Sequence, residues 1–385
     1  MIELNYKVGR NMKLNEKRIV NDIRLLALDM INAAGSGHPG IALDAAPTLY
    51  TLFAYHLKFD LERKAWCNRD RFVLSAGHGS ALLYSTLYYL LDEFNPEELK
   101  NFRKINSQCT GHPEYNLNNR IEVTTGPLGE GFATSVGLAI GEKYLESTFN
   151  KKKNIVFDYK IYTLVSDGDL MEGISYEAAS LAGNLGLDNL IVLYDSNGVT
   201  ADGDLDKAMY ENIPDRFASM NWEVIKVKDG ENIGEISNAI EKAKKSKKPV
   251  LIEIKTTLGI YSKYEGTNRI HSNLDKEDLE EIRTKLKGGP AFTYSENDRN
   301  NAMKFIKDGT EDYYRDWYSE YEMYIANATD SERDKINLVI ENEKISLDIA
   351  AVIDTSKIFE DKAMRDINYQ IMNVISTFIP NFMGG

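Results

Sequence analysis

Three of the five histidines in this chain share one local setting. They lie in the glycine-flanked tripeptides Gly37-His38-Pro39, Gly77-His78-Gly79 and Gly111-His112-Pro113. Glycine allows tight turns and lets a ligand come close to the backbone. An imidazole held on such a turn donates, accepts or transfers protons near neutral pH. We therefore expect these three imidazoles to converge on one small-molecule site.

Two other interpretations of the histidines stay open on spacing alone. A lone histidine is most often a hydrogen-bonded structural residue, and His56, on an amphipathic stretch, is assigned to that class. A metal site built from three histidines is the second alternative, although none of them shows the short helical spacing typical of zinc enzymes.

Asp167-Gly168 and Asn197 form a second candidate pair, because each follows a predicted strand. A carboxylate, an amide oxygen and the carbonyl of Val199 are the oxygen ligands that Mg²⁺ prefers, and a diphosphate would complete the octahedron. Gly168 would let the diphosphate approach the backbone, with the N-terminus of a helix entered near residues 172–173 pointing at it. An ordinary strand-end aspartate and a turn asparagine are an equally open interpretation.

A glycine-rich loop at residues 126–131 opens the next predicted helix. It would present backbone N–H groups and the apolar Leu128 to a flat cofactor. An ordinary helix N-terminus after a turn is the alternative, because the loop is not the dinucleotide-binding motif that follows a strand.

These motifs need a scaffold, and apolar strands alternating with helices provide one. We predict helices at 14–34, 41–57, 80–91, 131–145, 174–185 and 233–245, with strands at 71–75, 161–165, 190–194, 222–227 and 250–254. A loop at 109–131 separates two of the helices. The pattern predicts an α/β fold with a doubly wound, mostly parallel sheet and helices on both faces. Ligands in such folds bind beyond the carboxyl ends of the strands.

The composition is that of a globular chain, with 43% hydrophobic and 27% charged residues and a net charge of −13. This charge argues against nucleic-acid and anionic-membrane partners, while a local basic pocket could still bind phosphorylated substrates. Cys67 and Cys109 are too few for a disulfide framework, which fits a reducing cytoplasm. No apolar run reaches the roughly 18 residues of a membrane span. The N-terminus lacks the apolar core of a signal peptide, and Met12 could equally be the start.

Taken together, these motifs resemble transketolases. The resemblance is continuous over about 15–290 and resumes at Asp361-Lys362, Arg365 and Met383-Gly384-Gly385. It rests on Ser36-Gly37-His38-Pro39-Gly40, residues 69–75 and 77–80, Gly111-His112-Pro113-Glu114, residues 124–129, Asp167-Gly168, residues 171–175, residues 194–198, Lys255-Thr256 and Gly259. It implies a homodimeric thiamine diphosphate enzyme of the pentose phosphate pathway. Such an enzyme transfers a two-carbon ketol unit between sugar phosphates such as xylulose 5-phosphate, ribose 5-phosphate and erythrose 4-phosphate.

The resemblance also implies a role for each candidate residue. Mg²⁺ or Ca²⁺ would be held by Asp167, Asn197 and the Val199 carbonyl. The diphosphate would be contacted by His78, Gly168 and Asn197, and the thiazolium ring by Gly126, Pro127 and Leu128. Substrate would be bound by His38, His112, His271 and Arg365, with His38 and His112 also moving protons. Glu172 would join a carboxylate network across the dimer interface, and Asn268 lies at a position counted as catalytic.

The sequence departs from the family pattern at one residue before Asp167 and in the segment 266–274. Ser166 stands where a glycine usually precedes the metal-binding aspartate. Asn268 follows Gly266-Thr267, where the family often has a histidine, so that His271 is the histidine left in this segment. An amide donates a hydrogen bond but cannot transfer a proton. The segment Ser272-Asn273-Leu274 also differs from the family's usual Gly-Ala-Pro-Leu.

The resemblance divides the chain into an extension at 1–13, a diphosphate-binding domain at 14–290, a charged helical linker at 291–360 and the start of a pyrimidine-binding domain at 361–385. In transketolases that last domain supplies the glutamate that activates the cofactor. We therefore expect half of each active site here, completed by a C-terminal transketolase chain or a longer protein, and an inactive chain alone. The alternatives are another thiamine diphosphate enzyme subunit, against which His38, His112 and residues 171–175 argue, and a non-catalytic remnant domain.

Overall fold

The computed structural model describes residues 13–341, 353, 363–379 and 382. The chain divides into two units, Met1–Glu320 and Tyr321–Gly385. The predicted domain boundaries after residues 290 and 360 are not tested by this division, and they stay a prediction. Asp361-Lys362 and Met383-Gly384-Gly385, which contributed to the resemblance, lie outside the described residues.

The apolar runs of the sequence form the strands of the first unit. Their bounds are Arg71–Leu74 (β1), Ile161–Ser166 (β2), Leu190–Ser196 (β3), Val199–Thr200 (β4), Gly203–Asp204 (β5), Glu223–Val227 (β6) and Val250–Lys255 (β7). Five of them pair in parallel in the order β1-β2-β3-β7-β6, while β4 and β5 form a small antiparallel hairpin. Strands β2 and β3 are buried along their whole length, as a sheet covered on both faces requires. The predicted α/β sheet is confirmed.

Helices connect these strands. Their bounds are Glu16–Ala34 (α1), Pro39–Asp44 (α2), Ala46–Thr51 (α3), Ser80–Leu91 (α4), Pro96–Lys100 (α5), Glu130–Phe149 (α6), Asp167–Met171 (α7), Gly173–Leu185 (α8), Ile213–Ser219 (α9), Ile233–Ala243 (α10), Lys276–Lys285 (α11), Glu296–Asn327 (α12), Asp330–Ile340 (α13) and Met364–Phe378 (α14). None of the described helices is both long and apolar enough to cross a membrane.

The helices cover both faces of the sheet. On one face α1, α3, α4 and α10 share a continuous apolar core with the strands. On the other face α6 packs against β2, and Phe132 of α6 contacts Phe217 and Trp222. Because helices pack on both of its faces, the sheet is a rigid platform whose strand ends can position side chains.

Both cysteines, Cys67 and Cys109, are free thiols.

The helix predicted at 41–57 differs in detail from the observed one. It begins at Pro39, is interrupted at Ala45, and continues through α3 into a π-helical turn at Leu52–His56. Pro47 has no N–H to donate to the preceding turn, which accounts for the interruption. His56, assigned to a structural role, is buried and hydrogen-bonds Ser237 and Glu241.

Candidate active site

The predicted site residues meet at the carboxyl ends of three adjacent strands. Ser75 follows β1, Asp167 follows β2 and Asn197 follows β3, and these strands are neighbours in the sheet. A cavity of about 410 Å³ opens at this edge, within the range of about 300–1,000 Å³ typical of ligand pockets. Ten of the predicted residues line it: His38, His78, His112, Gly126, Leu128, Gly168, Glu172, Asn197, Val199 and His271.

The histidines enter the cavity from separate turns. His38 precedes α2 as its N-cap residue, and its ring centroid lies 5.1 Å from that of His78. Nδ1 of His38 and Nε2 of His271 are buried without a hydrogen-bond partner. Buried polar groups normally have partners, so each of these nitrogens is available to a ligand. The structure brings the three histidines of the glycine-flanked tripeptides to one cavity.

Burial keeps these imidazoles neutral. It lowers the pKa of His38 to about 4, helped by the positive charge of Arg103, and it lowers the pKa of His78 to about 3, helped by His38. The pKa values of His112 and His271 are lowered as well, in both cases chiefly by burial. Neutral imidazoles can accept a proton at one nitrogen while donating at the other.

This neutrality gives a testable result for the chain alone. We expect the imidazole ¹³C and ¹H shifts of His38 and His78 to stay constant between about pH 8 and pH 5, because unperturbed histidines titrate near pH 6.5. Histidine-labelled NMR spectra recorded over this range measure the effect. A midpoint above about pH 6 for either residue would contradict the buried geometry.

Asp167 lies between Ser166 and Gly168, which line the cavity, and is itself 1% exposed. Its Oδ2 accepts hydrogen bonds from the backbone N–H groups of Gly198 (2.9 Å) and Asn197 (3.2 Å), and its Oδ1 accepts one from the Tyr194 hydroxyl. Burial raises the pKa of Asp167 despite these donors. A cation at this carboxylate would offset the cost of its buried charge.

Asn197 is oriented by a neighbour that the sequence analysis missed. Its Nδ2 donates to Asp195 Oδ2 at 3.0 Å, and its Oδ1 accepts the backbone N–H of Val199 at 3.0 Å. Thr256 donates in turn to Asp195. Burial raises the pKa of Asp195 to about 7, and the Asp167 carboxylate adds to the rise. The amide oxygen of Asn197 therefore has a defined direction.

Asp169 is the second residue that the sequence analysis missed. Its Oδ1 accepts the Ser75 hydroxyl (2.6 Å) and the Gly129 N–H (2.9 Å), and its Oδ2 accepts the N–H and hydroxyl of Ser166. One buried carboxylate thus joins the end of β1, the glycine-rich loop and the end of β2. The Ser-x-x-Asp spacing of a capping box was the available signal.

The capping box belongs to a short helix that the sequence analysis missed. The helix predicted to begin near residues 172–173 is α8, which begins at Gly173, and α7 precedes it at Asp167–Met171. Ser166 and Asp169 cap α7 reciprocally, and Glu172 then separates it from α8. Glu172 borders the cavity with an exposed side chain.

The glycine-rich loop is shaped by close contacts. Gly129 has φ +82°, and a Cβ there would lie 2.9 Å from Glu172 Cβ. A Cβ at Gly131 would lie 2.6 Å from Ser75 Cα. Residues 126–131 therefore pack closely against the ends of β1 and α7. Gly126 and Leu128 therefore face the cavity, with Pro127 between them in the chain.

Three predicted residues of the first unit do not line the cavity: Pro127, Asp167 and Asn268. Asn268 donates from Nδ2 to the carbonyl of Ala201 at 3.3 Å, and Ala201 lines the cavity. Arg365 lies in the second unit, at the start of α14, with an exposed side chain beside Asp366.

The residues present fit a diphosphate cofactor with a divalent cation. Asp167 and Asn197 supply a carboxylate and an amide oxygen on adjacent strand ends, which is a donor set for a hard cation. A Cβ at Gly168 would lie 3.0 Å from Leu128 Cδ1, so the backbone there is open only because it lacks a side chain. Within the described residues, no group of three His, Cys, Asp or Glu side chains is placed to hold a metal. A cation at Asp167 would therefore need oxygens from outside these side-chain types.

Comparison with protein families gives one match that covers most of the chain. The profile of the family described as "Transketolase, thiamine diphosphate binding domain" matches residues 15–343. Among curated proteins, the transketolase of Bacillus subtilis is 42% identical over 380 residues, covering 96% of this chain and 56% of the relative. That of Aquifex aeolicus is 39% identical over 382 residues, covering 98% of this chain and 54% of the relative. The chain thus spans about half the length of these relatives.

Solved structures give the same result for the fold. A transketolase from Pichia stipitis in complex with sedoheptulose-7-phosphate superposes with a TM-score of 0.86 at 33% identity, covering 95% of this chain and 54% of that one. A transketolase from Leishmania mexicana superposes with a TM-score of 0.88 at 32% identity, covering 96% and 55%. A further Pichia stipitis structure is described as a complex with xylulose-5-phosphate.

Proposed function

The chain belongs to the transketolase family, and from this membership we propose that it forms the diphosphate-binding half of a transketolase active site. The observation that carries the proposal is the single cavity that gathers ten residues predicted from sequence motifs. The complete protein would transfer a two-carbon ketol group from a ketose phosphate to an aldose phosphate. Cytoplasmic sugar phosphates such as xylulose 5-phosphate and ribose 5-phosphate are the proposed substrates, which is supported by the sugar phosphates bound to the Pichia stipitis relative.

Thiamine diphosphate with Mg²⁺ or Ca²⁺ is the proposed cofactor. Asp167, Asn197 and the Val199 carbonyl would hold the cation, and His78 and Gly168 would contact the diphosphate. Gly126, Pro127 and Leu128 would line the ring. When bound, the cofactor supplies the nucleophilic carbon that accepts and releases the two-carbon unit.

The chain's own histidines would act on the substrate hydroxyls. His38, His112 and His271 present neutral imidazoles to the cavity, so each can accept a proton from a hydroxyl and return it. The unpartnered Nδ1 of His38 and Nε2 of His271 support this role. Asn268 would add a hydrogen bond without proton transfer. Arg365 would bind the substrate phosphate through its guanidinium.

A second subunit is proposed to complete the site. Ile174, Leu181 and Leu185 are 47%, 46% and 50% exposed and recur on one face of α8, directly after Glu172. Exposed apolar stripes of this kind favour protein contacts. We propose that Glu172 and this stripe lie in the interface of a homodimer.

The test is complementation with a C-terminal half. The chain is mixed with the C-terminal half of the Bacillus subtilis transketolase, thiamine diphosphate, Mg²⁺, xylulose 5-phosphate and ribose 5-phosphate, and glyceraldehyde 3-phosphate release is followed. We expect no transfer by the chain alone and transfer by the mixture. His112→Gln should lower the activity of the mixture about 100-fold or more, as loss of a general acid–base does.

His56→Gln is the matched control, because His56 is a histidine outside the cavity that contacts Ser237 and Glu241. It should retain the activity of the unmodified chain. A mixture that releases nothing, while binding the C-terminal half, would favour the non-catalytic remnant domain. Equal losses of activity in His112→Gln and His56→Gln would contradict the assignment of His112 to the active site.

A further inference from the structure

Arg103 contacts both turns that carry the proposed substrate histidines. Its Nη1 donates to Ser36 Oγ at 2.6 Å, and Ser36 lies two residues before His38. On the other side, a Cβ at Gly111 would lie 3.1 Å from Arg103 Nε, so the guanidinium lies against the residue that precedes His112. One side chain thus joins two turns that are more than 70 residues apart in the sequence.

The loop that presents Arg103 has a defined conformation. Arg103 has φ +61°, a backbone region that few non-glycine residues occupy. Its backbone N–H donates to the Cys109 carbonyl at 2.9 Å, and the preceding Phe102 is 1% exposed. A buried neighbour and a closed loop therefore fix the position from which the arginine side chain reaches Ser36 and Gly111.

The charge of Arg103 is not neutralised by an acidic neighbour. Among the residues that the structure describes, no carboxylate lies within ion-pair distance of its guanidinium, and its Nε is buried without a partner. Arginine stays protonated at all ordinary pH values. A fixed positive charge beside an imidazole disfavours the imidazolium form.

Both neighbouring histidines respond to this charge. Partial burial of its ring, and then Arg103, lower the pKa of His112. The pKa of His38 is lowered by burial, then by Arg103, and further by His271 and His112. The two residues that the proposed function uses for proton transfer therefore share one cationic neighbour.

We propose that Arg103 is a positioning residue that fixes the His38 and His112 turns relative to each other and keeps both imidazoles neutral and ready to accept a proton. This inference rests on the proposed function, which assigns proton transfer to these two histidines. It adds a residue outside the cavity lining, which acts through its charge and through its contacts with Ser36 and Gly111.

The experiment is a histidine titration of the full chain by NMR, with Arg103→Met and Arg103→Lys. Methionine keeps the length of the stem and removes the charge, whereas lysine keeps the charge and removes the planar fork. We expect the pKa values of His38 and His112 to rise in Arg103→Met and to remain close to the original ones in Arg103→Lys. His56 serves as an internal reference and should not change.

Arg315→Met is the matched control, because it removes one positive charge from a 67% exposed side chain that pairs with Asp312. It should leave all five histidine titrations unchanged. Unchanged pKa values of His38 and His112 in Arg103→Met would overturn the proposal. So would equal changes in Arg103→Met and Arg315→Met, because these would report net charge rather than position.

If Arg103→Met does not fold, the proposal can be tested on the unmodified chain by changing the salt concentration. Salt at about 1 M shortens the Debye length to about 3 Å, which screens the arginine from the exposed His112. The pKa of His112 should rise with salt, while that of buried His56 should change less. No rise at His112 would also overturn the proposal.

The NMR titration needs neither cofactor nor substrate, so its result tests the role of Arg103 separately from the proposed function. If the complemented chain transfers sugar units, Arg103→Met should move the acidic limb of its kcat/KM profile to higher pH, and Arg103→Lys should restore it. A purely structural role would lower kcat/KM at every pH without moving that limb. Absence of transfer by the unmodified complemented chain would overturn the proposed function and leave the titration result standing.

Discussion

Asp167→Asn is expected to weaken binding of thiamine diphosphate about 100-fold in the presence of Mg²⁺, because a neutral amide replaces the charged oxygen ligand of the cation. The measurement is calorimetric titration of the chain together with a C-terminal half. The affinity of the variant should no longer depend on Mg²⁺ concentration. Binding that stays within a factor of three of the unmodified protein would show that Asp167 is not a cation ligand.

The same substitution should leave the fold intact, which separates a cation ligand from a structural residue. Burial raises the pKa of Asp167 above 3.8, so the folded chain binds a proton more tightly there than the unfolded chain does. The contribution of Asp167 to the unfolding free energy therefore falls as the pH rises from the pKa of the unfolded chain through the higher pKa of the folded chain. Asparagine does not ionise, and its Oδ1 can accept the N–H groups of Asn197 and Gly198. The variant should match or exceed the unmodified chain in thermal midpoint, by more at pH 8 than at pH 5.

The sequence predicted the parts of the site that depend on strand order. His78, Asp167 and Asn197 each follow an apolar run, and parallel strands bring their carboxyl ends to one edge. His38 and His112 were found by their glycine-flanked setting, which marks tight turns. These features are local in sequence, or follow from one fold-level rule, so no three-dimensional information was needed to predict them.

The missed residues act through contacts between distant segments. Asp195 matters because it holds Asn197 and accepts from Thr256, and Thr256 is reached only by the pairing of β3 with β7. Arg103 matters because it reaches Ser36 across 67 residues. No periodicity or spacing rule connects such positions. The prediction of one helix at 41–57 did not take Pro47 into account, and it therefore missed the break at Ala45.

Asp169 shows best how a structural carboxylate differs from a ligand carboxylate two residues away. It is fully buried and accepts four hydrogen bonds, two at each oxygen, from Ser75, Gly129 and Ser166. An asparagine would turn its NH₂ group towards one backbone N–H, that of Gly129 or that of Ser166, and leave this donor unpaired, whereas the serine hydroxyl on the same side can turn to accept. An unpaired buried donor costs about 1–3 kcal/mol. Asp169→Asn should therefore lower the unfolding free energy by about 2 kcal/mol.

Urea unfolding of the two variants side by side makes this comparison. Asp167→Asn is the matched control, because it is the same chemical change on the same short helix. We expect Asp169→Asn to unfold at lower urea concentration and Asp167→Asn to unfold with or after the unmodified chain, while cofactor affinity is lost directly only in Asp167→Asn. If both variants lost stability equally, the carboxylate of Asp167 would be part of the scaffold. The cation would then need a different carboxylate, and the one beside Asn197, that of Asp195, already accepts hydrogen bonds from Asn197 and Thr256.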